Sequence, residues 1–355
     1  MAGIVAGNRV ASLRGVSSSL WPVSGDAGAI LALLREWDAA DDPRPLVIET
    51  SGSTGTPKRV LLSRAAMRAS ALATQERLGG PGRWLLNLPP TYVAGVQVLY
   101  RSVVAGTEPI DFQGSFAATR HLVGDPAFVS LVPTQLVRLL ADPEETAALE
   151  DFAAVLVGGG PLRAEVRARA EEQGIRIVQT YGMSETCGGC VYDGRPLAGV
   201  EVHIDAEEQV LLRGPVLFDG YEGEPERTAA VFRDGWFVTH DVGHWTPEGR
   251  LAVDGRIDDV VISGGVKVPG AAVARALLRH PQVNEVEVVG VPDDEWGERV
   301  VAVVIASGPV ELDELRDLVE PRAWAPRGLV VVDALPLLPN GKVDRVTLEE
   351  LAGAD

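Results

Sequence analysis

Between positions 50 and 58 the chain reads Thr50-Ser51-Gly52-Ser53-Thr54-Gly55-Thr56-Pro57-Lys58, a run of hydroxyls, glycines and one lysine directly after an apolar segment. Glycine lets a backbone approach a ligand closely and adopt positive φ. Hydroxyl and N–H groups donate hydrogen bonds and the lysine adds charge, which together suit a polyphosphate. The order is not that of a Walker A loop, which needs Gly-Lys-Ser/Thr in direct succession, and this opposes a P-loop phosphotransferase. A polar surface loop would not need so many groups of one kind. A second cluster, Tyr181-Gly182-Met183-Ser184-Glu185-Thr186, follows another apolar run. Here an aromatic can stack on a base, a hydroxyl can bond a phosphate, and a carboxylate can hold Mg²⁺, which prefers oxygen ligands. Taken alone, a tight turn with an aromatic plug explains this hexapeptide equally well.

Both clusters need strands that end at one edge. Apolar runs at 46–48, 84–88, 128–132, 153–157 and 175–179 alternate with helical patterns at about 63–78, after 94, at 133–140 and at 162–173. Pro133 suits the first turn of its helix. The alternation predicts an α/β fold with a mostly parallel sheet covered by helices, whose ligands lie at the carboxyl ends of the strands. Beyond Gly182, short segments at 200–204, 210–213, 236–238 and 251–253 stand between Gly, Pro and Asp turns, predicting antiparallel strands or a small barrel-like part. After Gly255-Arg256-Ile257-Asp258-Asp259 comes a βαββαβ-like stretch, with strands at 260–262, 283–291, 300–306 and 328–332 and helices at 271–278 and 312–319. A boundary near Asp258 gives a large N-terminal domain, 1–257, and a smaller α+β C-terminal domain, 258–355. No internal repeat is present.

With 355 residues, 46% hydrophobic and 23% charged, the chain has the composition of a globular protein with a large core. Its net charge of −18 opposes binding to nucleic acid or anionic lipid. A polyphosphate site must therefore gather its own positive and N–H groups. No apolar run is long enough to span a membrane, and Arg9 follows rather than precedes a weakly apolar run, the wrong order for a signal peptide. Two cysteines give no disulfide framework. A soluble cytoplasmic protein is expected.

Residues 50–58 and 181–185 resemble the phosphate loop and nucleotide motif of the adenylate-forming superfamily: acyl-CoA synthetases, luciferases and peptide-synthetase adenylation domains. Three further stretches match in the same order. Gly235-Trp236-Phe237-Val238-Thr239-His240-Asp241 is similar to the segment whose aspartate holds the ribose, with His240 where the family usually has glycine. Gly255-Arg256-Ile257-Asp258-Asp259 resembles the hinge, and Leu338-Pro339-Asn340-Gly341-Lys342-Val343-Asp344-Arg345 resembles the loop that presents a catalytic lysine. The resemblance implies that a carboxylic acid reacts with ATP to give acyl-AMP and pyrophosphate, and that a thiol, CoA, then takes the acyl group. It assigns Lys342 to the carboxylate and α-phosphate, Glu185 to Mg²⁺, Arg256 and Asp241 to the nucleotide and Asp258 to the pivot. Ser263-Gly264-Gly265 would face the thiol after the C-terminal domain swings.

Within this superfamily, the short length, the Gly158-Gly159-Gly160-Pro161 loop and the segment 181–187 are similar to the o-succinylbenzoate–CoA ligases of menaquinone biosynthesis. The three glycines would let adenine lie against bare backbone, although a plain strand–helix turn accounts for them too. In Leu88-Pro89-Pro90-Thr91-Tyr92-Val93-Ala94-Gly95, Tyr92 takes the family's usual histidine place and either gates the carboxylate pocket or packs. Gly95, Gly182 and Gly188 complete the expected acyl site. The phosphate loop begins at position 50, so the N-terminal subdomain is expected to be shortened and a homodimer to cover one side of the sheet. Cys187-Gly188-Gly189-Cys190 lacks the two further ligands of a metal site and the setting of a redox pair, so it reads as small residues lining a pocket. His240 and His244 flank Asp241 too loosely for a metal triad and read as local packing. The alternatives are a stand-alone amino-acid or aryl-acid adenylation domain that loads a carrier protein, and a nucleotide-binding pseudoenzyme. No pocket aspartate for an α-amino group is evident between 133 and 160, and the retained Lys342 and Glu185 oppose loss of activity.

Overall fold

The computed structural model describes residues 20–50, 58–124, 126–338 and 343–354. Its central sheet runs Arg83–Leu85, Ala127–Leu131, Ala154–Val157, Ile177–Met183, Gly188–Tyr192, Arg195–Pro196. The first four strands are parallel and the last two antiparallel. Side chains alternate across a strand, and here both faces are buried. Ala154 and Leu156 enter one core with Trp84, Phe128 and Val178, while Val155 and Val157 enter a second with Leu85, Val129 and Leu131. Burial on both faces explains why these strands are continuous apolar runs.

Three helices build the first core. Ser63 caps Arg64–Leu78 by accepting from the Ala66 N–H, and Gly79 ends that helix at φ 98°. Helix Val93–Ala105 packs against it and against Ala27–Ala39, whose buried Ile30, Leu34 and Trp37 follow the spacing of one helix face. Ala27–Ala39 is absent from the sequence reading. These helices bury their apolar faces in one core with the central sheet.

Strand Leu46–Thr50 does not join the parallel sheet. It forms an antiparallel pair with Lys58–Leu62, Thr50 opposite Lys58, within a four-stranded sheet that also holds Trp21–Pro22 and Gly220–Tyr221. The sequence reading ends the loop at Lys58 and has no strand at 59–62, because only Val60 and Leu62 turn inward and Lys58 and Arg59 lead the segment. The antiparallel part contains Glu201–Ile204, Gln209–Arg213, Phe232–Arg233, Trp236–Trp245 and Leu251–Arg256. It does not close into a barrel: the ten-residue strand Trp236–Trp245 takes different partners along its length.

In the C-terminal part, Val260–Ser263 and Val266–Pro269 form a hairpin around Gly264 and Gly265, both at positive φ. The second of these strands was not expected. Val283–Asp293 and Gly297–Ala306 pair antiparallel, and Gly328–Val331 adds in parallel. Helix Gly270–Leu277 covers one face through Val273 and Leu277. Helix Arg345–Gly353, capped by Asp344, covers the other through Leu348 and Ala352. That helix was also unexpected, and the second helix is shorter than anticipated, Leu312–Arg316. No helix among the described residues is long and apolar enough to cross a membrane.

Candidate active site

Strand pairing brings two of the motifs together: Asp241 stands opposite Arg256 in the ladder between Trp236–Trp245 and Leu251–Arg256. The Tyr181 hydroxyl, reaching from the end of Ile177–Met183, donates to Asp241 Oδ2 at 2.6 Å, and Arg256 Nη1 donates to Oδ1 at 3.4 Å. Arg256 also grips Asp258 with two hydrogen bonds, from Nε at 2.8 Å and Nη2 at 2.7 Å. Burial holds the Asp241 carboxyl above its usual range, against the pull of the Tyr181 hydrogen bond and the Arg256 charge. Burial, with the Asp241 charge, raises the Tyr181 phenol well above its ordinary value. Burial also opposes ionisation of Asp258, but the Arg256 hydrogen bonds and charge, with His240, outweigh it and hold that carboxyl low.

A second group lies one short step along the chain. Glu185 sits in the 3₁₀ turn Ser184–Thr186 and is only 9% exposed. The Tyr221 hydroxyl donates to its Oε1 at 2.9 Å. Tyr221 pairs with Val60 across the neighbouring strand, and Lys58 Nζ lies 5.6 Å from the centre of its ring. Tyr221 therefore joins strand Lys58–Leu62 to the turn that holds Glu185. Sequence reasoning missed it, since a lone aromatic between glycines at 220 and 223 carries no signal of its own. No cluster of three or more His, Cys, Asp or Glu able to hold a metal occurs among the described residues. Mg²⁺ does not need one: it is commonly bound by one or two carboxylates together with substrate phosphates and water, and a nearly buried Glu185 beside the end of the phosphate loop fits that donor set.

The expected glycines divide by cause. A Cβ at Gly182 would run into the Gly188 carbonyl oxygen, one at Gly95 into the Pro89 carbonyl oxygen, and one at Gly158 into the Thr180 side chain. Close packing requires these three. Gly159 and Gly188 have φ of 82° and 93°. A Cβ at Gly160 meets nothing nearer than 3.8 Å, so neither packing nor conformation demands glycine there. Tyr92 is part-buried just before Val93–Ala105 and makes no side-chain cap.

The CxxC pair is fully buried and not in a disulfide. Burial raises both thiols, Cys190 to about 12, which leaves them un-ionised at neutral pH. The histidines do not pack. Both are exposed, with His240 Nδ1 3.2 Å from Asp258 Oδ2 and His244 Nδ1 2.6 Å from Asp254 Oδ2. An aspartate draws each imidazole outward, Asp258 in the 3₁₀ turn Ile257–Asp259 and Asp254 on strand Leu251–Arg256. Ser263 is buried and Gly264 and Gly265 are exposed on the C-terminal hairpin; no hydrogen bond among the described residues ties them to Tyr181, Glu185 or Asp241. Ser51, Gly52, Ser53, Thr54, Gly55 and Lys342 lie outside the described residues.

One buried charge had no place in the sequence reading. Arg101, 4% exposed on helix Val93–Ala105, has no carboxylate partner among the described residues. Its Nη2 donates to the Tyr192 hydroxyl at 3.2 Å, its guanidinium lies 4.7 Å from the Trp84 ring centre, and its Nε is unpaired. One turn earlier, Gln97 Nε2 donates to the Cys187 carbonyl at 2.8 Å, while its Oε1 is buried and unpaired. Tyr192 in turn lies against Gly189. The helix thus presents an unneutralised cation and an open acceptor to the segment 187–192.

Residues 24–224 match the model of the AMP-binding enzyme family, and residues 272–342 that of the AMP-binding enzyme C-terminal domain. The chain is 42% identical over 352 residues to a probable 2-succinylbenzoate–CoA ligase of Mycobacterium tuberculosis, covering 95% of this chain and 92% of the relative. It superposes on o-succinylbenzoate CoA synthetase from Bacillus subtilis in complex with the acyl-adenylate intermediate OSB-AMP, with TM-score 0.74, 30% identity and coverage of 86% and 68% of the two chains. The same Bacillus enzyme in complex with ATP and magnesium ion matches with TM-score 0.73 and 29% identity, over 86% of this chain and 69% of that one.

Proposed function

The chain belongs to the AMP-binding enzyme family, and from that premise we propose that it is an ATP-dependent acyl-CoA ligase acting on o-succinylbenzoate. The observation that carries this reading is the convergence of Tyr181, Asp241 and Arg256 on one side of residues 181–185 and of Glu185, Tyr221 and Lys58 on the other. The first group suits a nucleoside and the second its phosphates. Relatives carrying that substrate's name support the choice of acid.

In this reading Tyr181 and the glycines 158–160 bound the adenine, and Asp241, already gripped from two sides, offers its remaining lone pairs to the ribose hydroxyls. Tyr221 fixes one Glu185 oxygen and leaves the other to Mg²⁺, which neutralises phosphate charge when bound. The donors of residues 50–55 and Lys58 surround the departing phosphates. Lys342 stabilises charge on the α-phosphate and attacking carboxylate. The bond formed is acyl oxygen to α-phosphorus and the bond broken releases pyrophosphate; the CoA thiol then displaces AMP at the acyl carbon. Asp258 is the boundary between the domains and the pivot on which Lys342 retreats and the hairpin of Ser263, Gly264 and Gly265 takes its place. For an aryl dicarboxylate, Arg101 supplies the positive charge that the second carboxylate requires. The enzyme works in the cytoplasm, where its co-substrates are.

The test is pyrophosphate release from Mg-ATP with a panel of o-succinylbenzoate, benzoates, fatty acids and amino acids, with and without CoA. Release with o-succinylbenzoate and CoA-dependent thioester is the expected result. Release with another acid would retain the mechanism and replace the substrate. No release with any acid, with ATP still bound, would overturn the reading in favour of a pseudoenzyme.

A further inference from the structure

Away from the adenylate site, four arginines from four separate segments bound a cleft of about 550 Å³: Arg77 at the end of helix Arg64–Leu78, Arg167 on helix Ala164–Glu172, Arg195 on strand Arg195–Pro196, and Arg250 before strand Leu251–Arg256. Asp193 is the sole acid lining it. That aspartate is fully engaged: Arg77 Nη2 reaches Oδ2 at 3.2 Å, Arg167 Nη1 reaches Oδ1 at 2.9 Å, and the Gln179 N–H donates to Oδ1 at 3.1 Å. Arg250 Nη1 donates to the Asp193 carbonyl at 3.1 Å. Arg195 is exposed and has no ion pair among the described residues.

The cleft is held rigidly. Asp193 and Gly194 form a tight hairpin turn with φ of 49° and 72°, and the Leu251 N–H donates to the Gly194 carbonyl at 2.7 Å. A single carboxylate, with Glu171 bonded to Arg167 at the side, leaves the lining strongly positive on a chain whose net charge is −18. Asp193 and Glu171 offset only part of the charge of the four guanidiniums, whose forked donors match phosphate oxygens. We propose that this cleft is a second, non-catalytic site that binds a phosphoryl anion. Two sources offer that chemistry: free pyrophosphate, and a nucleotide carrying a 3′-phosphate. This inference does not depend on the identity of the acid, and the adenylate site plays no part in it.

The test uses the full chain without Mg²⁺. Inorganic pyrophosphate and, separately, adenosine 3′,5′-bisphosphate are titrated calorimetrically into wild type, Arg195→Ser and an Arg195→Ser/Arg250→Ser double variant. Arg195→Ser removes an exposed side chain without an ion pair, so it tests binding even where the double variant fails to fold. The expected result is a binding event that weakens roughly tenfold or more when arginine is lost, that weakens with added salt, and that leaves initial pyrophosphate-release rates unaltered. Loss confined to pyrophosphate assigns the site to the free anion, and loss confined to the bisphosphate assigns it to a nucleotide. Superimposable isotherms for wild type and Arg195→Ser with both probes would overturn the proposal and leave the arginines as a clamp on Asp193.

Discussion

At Arg101 the fold holds a guanidinium out of water with only a hydroxyl and an aromatic face for company. A buried cation left without an acid is costly, and a carboxylate arriving from solution would offset that cost. Arg101→Leu is therefore expected to raise KM for o-succinylbenzoate roughly 10–100-fold, from the loss of charge-assisted hydrogen bonds, with KM for ATP almost unchanged. Steady-state pyrophosphate release measures both; equal effects on the two substrates would assign Arg101 to folding alone. Replacing a buried charge by an apolar side chain is often tolerated, so the variant is expected to fold. The sequence did not disclose this residue, because one arginine within Val93–Ala105 looks like the wet edge of an amphipathic helix. Glu287 too is legible only in three dimensions, because on strand Val283–Asp293 it alternates with valines as a solvent-facing residue would. Burial raises its carboxyl above the ordinary range, against the pull of Arg345. A raised carboxyl favours folding at low pH, and that stability is lost as pH climbs from the unfolded value through the folded one. Glu287→Gln avoids the loss, so its urea midpoint should exceed the wild-type value more at pH 8 than at pH 4. A constant difference across that range would mean that Arg345 neutralises Glu287 fully.

Among the strands and turns, glycine has different meanings at positions that look alike in sequence. Gly182 abuts the Gly188 carbonyl where two strands pair, and backbone cannot step aside. Gly182→Ala should cost about 1–3 kcal/mol by overpacking and disturb Tyr181 and Glu185 on either side. Gly160→Ala meets open space and has no unusual φ to lose, so its thermal midpoint should stay close to wild type. If Gly160 does face adenine, the added methyl should instead raise KM for ATP; a change in stability at Gly160, or none at Gly182, would contradict the packing argument. The parallel strands that sequence patterning found have both faces buried, as in Ala154–Val157, whereas the predicted Glu201–Ile204 is half exposed and was marked by the turns around it. Those it missed or misplaced, Lys58–Leu62 and Val266–Pro269, carry polar residues on an exposed face and are fixed by their partner strands. The Asp241–Arg256 pairing was foreshadowed only as two separate motifs; their meeting depends on a ladder register that no local pattern encodes.

On the scale of the whole molecule, several contacts span the proposed boundary at Asp258. Arg163 donates to the Asn284 carbonyl, and Arg275 reaches Asp254, which also holds His244. Helix Gly270–Leu277 rests on strand Leu251–Arg256, with Ala271 so close to Gly255 that a Cβ there would come within 2.8 Å. The polar contacts are exposed, so each contributes on the order of 1 kcal/mol or less, a scale compatible with exchange between two arrangements. In the proposed cycle Lys342 serves only the first of them. Lys342→Ala should then slow pyrophosphate release by roughly 10²–10³-fold, the loss that follows removal of one stabilising donor from a developing anion. Transfer from preformed acyl-AMP to CoA should fall by less than about threefold, since a residue absent from that transition state adds nothing to its stability. Single-turnover assays of the two half-reactions separate these outcomes. If both fall together, Lys342 acts in a single arrangement, and Asp258 has no swing to govern.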